Sequence, residues 1–166
     1  MSKTHALGLF SIIFTTVIWG LSFLSIKLAL TILTPMNLAA IRFLIASIIL
    51  TILYYFGVKK KKFDRKDIFK FLVTGVLGIT LYFYFENSAM LYISAGSASL
   101  IIAVIPIITL IVDFIFFDFK IKKKHIFSVI LSFIGVYYIV KNSAGTGDNI
   151  KGFIMMGGAV VTWVAY

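Results

Sequence analysis

The chain has 166 residues, of which 61% are hydrophobic and 13% charged, with a net charge of +10 and no cysteine; soluble domains run at roughly 45–50% apolar and about 25% charged. A water-soluble fold of this size cannot hide so much apolar surface, so lipid is the expected solvent, and a disulfide frame or thiolate metal site is excluded. The basic excess does not point to nucleic acid, because it sits in short segments between apolar runs and leaves no solvated face to grip phosphate.

A spanning helix needs about 20 apolar residues. Five runs meet or approach that length: Leu7–Leu30, Leu38–Phe56, Ile68–Leu91, Ala95–Phe117 and Ile126–Val140. The first is longer than the apolar core of a secretory signal, about 7–15 residues, and reads as a retained helix. The fifth is short, but flanking basic side chains can snorkel and lengthen it. A sixth run opens at Gly152 and reaches Tyr166. At about 1.5 Å per residue it extends only about 22 Å, short of a hydrocarbon core about 30 Å thick, so the sequence is expected to continue.

Lysine and arginine placement sets the orientation. Lys3, Lys59, Lys60, Lys61, Lys62, Arg65, Lys66, Lys70, Lys120, Lys122, Lys123 and Lys124 fall on one side of the runs. The connections on the other side carry Lys141 and Lys151, while Lys27 and Arg42 lie inside runs. The N-terminus is therefore expected in the cytoplasm. His5 and His125 sit in basic segments and suggest no metal site.

Five complete helices leave the sixth entering from the side opposite to the first. Gly8 and Trp19 share their spacing with Gly152 and Trp163, and Val17 then matches Val161. Together these observations point to a second repeat of inverted topology, an architecture in which substrate sits near the midplane between repeats.

Within run one, Gly8, Ser11, Thr15, Trp19 and Ser22 fall within an arc of about 80°. Such a small and polar stripe faces protein or a water-filled path, and both close packing and pathway lining fit it. In run three, Gly75, Gly78, Tyr82 and Glu86 form a second stripe of about the same width. A carboxylate inside a span is costly and is a functional candidate by default; a structural ion pair of Glu86 with Lys27 or Arg42 is the competing reading. Run four places Ser99, Ala103, Pro106 and Asp113 on one face, and Pro106 removes a helix hydrogen bond at mid-depth, where a kink or hinge can form. Asp113 and Asp118 lie beside Lys120 and Lys122, a setting for local charge pairing. No HExxH, Walker loop, metal-ligand cluster or hydrolytic triad is present, so no catalytic residue and no cofactor is expected.

Several stretches resemble one known family. TTVIWGLSFLSIKLAL (with Trp19, Gly20 and Lys27), AAIRFLIASIIL (with Arg42), SAGSASLIIAVIPIITLI (with Gly96 and Pro106) and SFIGVYYI (with Gly135) resemble helices one, two, four and five of EamA-type transporters of the drug/metabolite transporter superfamily. GFIMMGGAVVTWVAY resembles the helix that opens their second repeat. The order and spacing of these stretches cover nearly the whole chain. Many members carry Glu followed by Arg or Lys just after helix four; this chain reads Asp118-Phe119 and then lysines.

The resemblance implies an all-α polytopic membrane helical bundle of ten helices in two inverted five-helix repeats with both ends cytoplasmic. Residues 1–141 would form the first repeat, 142–151 an external connection and 152–166 the start of the second repeat. It also implies a secondary transporter of the cytoplasmic membrane, exporting small metabolites such as amino acids by alternating access. On this reading Trp19, Ser22, Tyr82, Glu86 and Ser99 line the substrate pathway, Lys27 and Arg42 tune charge at its outer mouth, and Pro106 is the hinge. The partners expected are a small-molecule substrate and the lipid bilayer, with a homo-oligomer allowed and no nucleic acid. A half-size subunit needing a partner chain, or a lipid-modifying membrane enzyme, are the alternatives.

Overall fold

The computed structural model describes residues 3–57, 64–117, 122–143 and 147–166. Among these, every regular element is helical. Six helices follow one another: α1 (Lys3–Ala29), α2 (Pro35–Gly57), α3 (Arg65–Ala89), α4 (Ala95–Phe116), α5 (Lys123–Ser143) and α6 (Ile150–Ala165). Four of them, α1 to α4, are long and apolar enough to cross a membrane. The all-α polytopic bundle read from the apolar runs is thus what the chain forms. Asp118-Phe119, Lys59–Lys62 and Lys120 lie outside the described residues.

Local chemistry sets the helix starts. At α2, the Thr34 hydroxyl accepts the Asn37 N–H at 3.3 Å and Pro35 takes the first helical position, where a missing N–H costs nothing. Ser94 caps α4 by accepting the Ser97 N–H at 3.1 Å, and Asn149 caps α6 by accepting the Lys151 N–H at 2.9 Å.

Two helices are irregular. α3 is α-helical over Ile68–Gly75 and Tyr82–Ala89, with a π-helical stretch, Val76–Leu81, between them. Such a wide turn re-aims the side chains beyond it and recurs at functional sites. α4 is interrupted at Ala103 and Val104, between Ala95–Ile102 and Ile105–Phe116. Pro106 opens the second segment rather than occupying the bend itself. Its ring nitrogen cannot donate to the carbonyl four residues back, so the disruption appears on its N-terminal side.

Packing is concentrated at one end of the bundle, where α1 and α3 finish and α2, α4 and α6 begin. Phe23 and Ile26 of α1, Leu38 of α2, Met90 and Ile93 after α3, Ala98 of α4, and Met156, Ala159 and Val160 of α6 form its core. The opposite end, which carries the lysines, presents Leu7, Phe10, Tyr55, Phe56, Phe69, Phe71, Phe116 and Phe117 as exposed side chains. Apolar surface of this extent suits hydrocarbon or further helices rather than water.

The packed end is tied together through the short turn between α3 and α4. Lys27 donates its ammonium to the Met90 carbonyl and, at 2.8 Å, to the Ile93 carbonyl. These groups lie just past the C-terminus of α3, where a cation is favoured by the helix dipole. Asn149 N–H donates to the Tyr92 carbonyl at 2.9 Å, and Lys151 reaches the Tyr92 hydroxyl at 3.0 Å. The Asp148 carboxylate accepts the Ser94 N–H at 2.7 Å and the Ser97 hydroxyl, placing an anion at the N-terminus of α4.

Candidate functional site

The final turns of α3 hold the polar centre of the bundle. Tyr82 and Glu86 are one turn apart on one face, and the tyrosine hydroxyl donates to Glu86 Oε1 at 3.1 Å. Glu86 is 4% exposed and Asn87 is fully buried. Asn87 donates its amide to the Pro35 carbonyl at 3.3 Å, which ties α3 to the start of α2. Glu86 Oε2 and Asn87 Oδ1 are both buried without a hydrogen-bond partner.

From α2, Arg42 stacks its guanidinium over the Phe83 ring at 5.3 Å. Its Nη1 is likewise buried and unpartnered. Arg42 and Glu86 do not form an ion pair with each other. Nor does Lys27 reach Glu86, since its ammonium is committed to the two backbone carbonyls after α3. The ion pair weighed from sequence is therefore not made by either partner.

Aromatic rings wall this cluster. Phe83 meets Phe43 and Tyr82 edge-on, each at 4.8 Å. Tyr82 also lies 4.8 Å from the Trp163 ring of α6, and Trp163 is 5.4 Å from Tyr166. Small residues allow α6 to approach this closely. A Cβ on Gly78, inside the π-helical stretch, would lie 2.5 Å from the Tyr166 ring. One on Gly158 would lie 3.0 Å from the Phe85 ring.

Of the residues singled out from sequence, the structure brings together Tyr82, Glu86 and Arg42. Trp19 is 59% exposed on α1, and neither it nor Ser22 makes a hydrogen bond or ring contact with the cluster. Ser99 donates to the Gly96 carbonyl of its own helix at 2.8 Å. Asn87, Phe43, Phe83, Trp163 and Tyr166 were not singled out as site residues. Asn87 carried a readable signal, being a second polar side chain beside Glu86 in an apolar run. Trp163 was visible as a repeat marker but not as the partner of Tyr82.

Four helices long and apolar enough to cross a membrane, one of them carrying a buried carboxylate, define a polytopic helical membrane protein. The EamA-like transporter family matches residues 6–141, and the chain belongs to that family of membrane transporters. An uncharacterized transporter of Archaeoglobus fulgidus is 33% identical over 142 residues, covering 86% of this chain and 49% of its own length. The uncharacterized transporter YcxC of Bacillus subtilis is 32% identical over 143 residues, 82% of this chain and 45% of its own. A probable amino-acid metabolite efflux pump of Salmonella typhimurium is 27% identical over 161 residues, 93% of this chain and 50% of its own. The chain thus spans about half the length of the curated relatives it matches. No solved structure matches it.

Proposed function

We propose that this chain contributes the first five-helix repeat and the opening helix of an inverted second repeat to a secondary carrier. The carrier exports small metabolites of the amino-acid type across the cytoplasmic membrane by alternating access, with its N-terminus in the cytoplasm. The observation that carries this reading is Glu86, a carboxylate inside a span with one oxygen held by Tyr82 and the other left open. A buried charge of this kind is expensive to keep and is retained where it handles a substrate or ion.

Three further features support the reading. The lysines cluster at one end of the bundle, as cytoplasmic connections require. The family match covers residues 6–141, the stretch read as the first repeat. And the Salmonella typhimurium relative is named for amino-acid metabolite efflux.

The test is transport by the full-length protein in proteoliposomes loaded with a mixture of radiolabelled amino acids. Glu86→Gln is expected to lower the rate by at least about tenfold, the loss typical of removing a charged contact worth roughly 1.4 kcal/mol or more. Glu86→Asp should retain part of the rate, and both variants should elute from detergent as the wild type does. An unchanged rate and pH profile in Glu86→Gln would remove Glu86 from the transport path.

A further inference from the structure

The fold holds α1 and α6 very differently, although the two are counterparts by sequence spacing. α6 lies along α3 from end to end. Gly152 meets the turn after α3, Gly158 the Phe85 ring, Trp163 the Tyr82 ring, and Tyr166 packs over Gly78. α1 is exposed from His5 to Leu21 and buried only at Phe23 and Ile26, in its last two turns, where it packs on α4. Ser11, Thr16 and Ser25 donate to carbonyls of α1 itself. Lys27 reaches across, to the Met90 and Ile93 carbonyls in the turn between α3 and α4.

We propose that Lys27 is a latch between two moving bodies, holding the external end of the carrier shut until it lets go of this turn. This rests on the carrier reading above and adds how its external end is held. Alternating access in inverted-repeat carriers is largely rigid-body rocking of one bundle against another. Bound along α3, α6 travels with α3 and α4. The pseudo-two-fold relation then binds α1, by the same packing, to the second half. A boundary between the two bodies therefore runs between α1 and α4, and Lys27 is a polar link across it.

The packed end leaves no passage beside that link, since Met90, Ala98 and Met156 are fully buried and Ile93 is 1% exposed. Release of cargo outside requires α1 to part from the turn. The chemistry suits a bond that must both hold and release. The ammonium sits just past the C-terminus of α3, where the helix dipole favours a cation. Its acceptors are neutral carbonyls, so parting strands no buried charge on the other body, as breaking an ion pair would. An ammonium is a compact, strongly hydrated charge, and water entering an opened end can take the place of both carbonyls.

Lys151 supplies the contrast. It donates to the Tyr92 hydroxyl at 3.0 Å, and the Asn149 N–H to the Tyr92 carbonyl at 2.9 Å, both in the same turn. These two residues belong to α6 and its cap. Their bonds join parts of one body and survive its motion.

In a full-length protein freed of other cysteines, Ile26→Cys places one thiol at the boundary between α1 and α4. Met156→Cys places another on the face of α6 that carries Gly152 and Trp163. Each is labelled in intact cells with an impermeant maleimide. Lys27→Met should speed labelling at position 26 by at least about tenfold, the effect of losing hydrogen bonds from a charged donor, and leave position 156 unchanged. Lys27→Arg, which keeps the charge and the donors, should stay within about threefold of the wild type. Lys151→Met should alter neither position.

Equal labelling at position 26 in the wild type and Lys27→Met would overturn the latch. So would a rise that Lys151→Met reproduces or position 156 shares, because either reports a loosened fold. If the wild type moves amino acids in proteoliposomes while position 26 fails to respond, the carrier reading stands and the latch falls. If position 26 responds as described and no amino acid is moved, the latch stands and the cargo reading falls.

Discussion

Gly152 is where the start of α6 crosses the turn after α3, and adding one methyl there should loosen the two. A Cβ at this position would lie 2.6 Å from Ile93 Cγ2, 2.9 Å from Tyr92 Cβ and 3.2 Å from the Ala89 carbonyl oxygen. The isoleucine methyl can swing aside, but Tyr92 Cβ and the carbonyl belong to or adjoin the backbone. The helix must therefore move, stretching the bond from Asn149 N–H to the Tyr92 carbonyl, now 2.9 Å. Overpacking of this kind costs about 1–3 kcal/mol. Alanine's better helix propensity returns at most about 1 kcal/mol, and less near a helix start. The net loss for Gly152→Ala is about 1–2 kcal/mol, or roughly 2–8 °C in apparent melting temperature. Gly157, on the same helix, is the control, because a Cβ there meets nothing within 4 Å. Gly157→Ala should be neutral or slightly stabilising. Melting the two variants of the full-length protein in the same detergent compares them directly. Equal melting temperatures would refute the close crossing of α6 over this turn.

Lys27→Met removes the donor from two carbonyls beyond α3 and should destabilise by about 1–3 kcal/mol, whereas Lys66→Met, at an exposed position, should change stability by under about 0.5 kcal/mol. Equal effects, read by the same melting assay, would show that Lys27 is not a structural cap. These 166 residues hold no cysteine, so in a full-length protein whose remaining residues are also freed of cysteine, single introduced cysteines report sidedness cleanly. At Lys66 and Lys123 they should react with an impermeant maleimide only after the membrane is opened, and at Ile32, which is 88% exposed, in intact cells. The opposite pattern would invert the proposed orientation.

The helices were legible because a bilayer imposes one demand, a long apolar run with its backbone bonded internally, and composition alone reveals such a run. Their ends were read to within a few residues, and the differences have local causes, such as the Thr34 cap that starts α2 ahead of the apolar run at Leu38. The site was half legible. Tyr82 and Glu86 stood out because helical spacing puts them on one face, and Arg42 because a charge inside a span is conspicuous. Lys27 was equally conspicuous, but only the fold reveals that its long side chain reaches the Met90 and Ile93 carbonyls rather than Glu86. Trp163 and Tyr166 entered the site through tertiary packing, which no periodicity encodes. Pro106 marked a real break, displaced toward the residues whose carbonyls it leaves unserved.

The exposure of Trp19 gains a meaning when the proposed repeat is taken seriously. Trp163, its counterpart by spacing, packs its ring at a tilt against Tyr82 of α3, and Gly152 sits at a close crossing. Gly8, the counterpart of Gly152, meets nothing within 4 Å, and Trp19 is 59% exposed. Two inverted repeats related by a pseudo-two-fold axis make their contacts in pairs. If α6 opens the second repeat and packs on the third helix of the first, then α1 should pack on the third helix of the second. The stripe of Gly8, Ser11, Thr15, Trp19 and Ser22 would be the face that does so. In the full-length protein, with Trp19 as its only tryptophan, brominated lipid should quench fluorescence less than it does in a peptide spanning Lys3–Ala29 in the same vesicles. Equal quenching would leave Trp19 facing lipid, break the pairing of contacts, and take the inverted-repeat assignment of α6 with it.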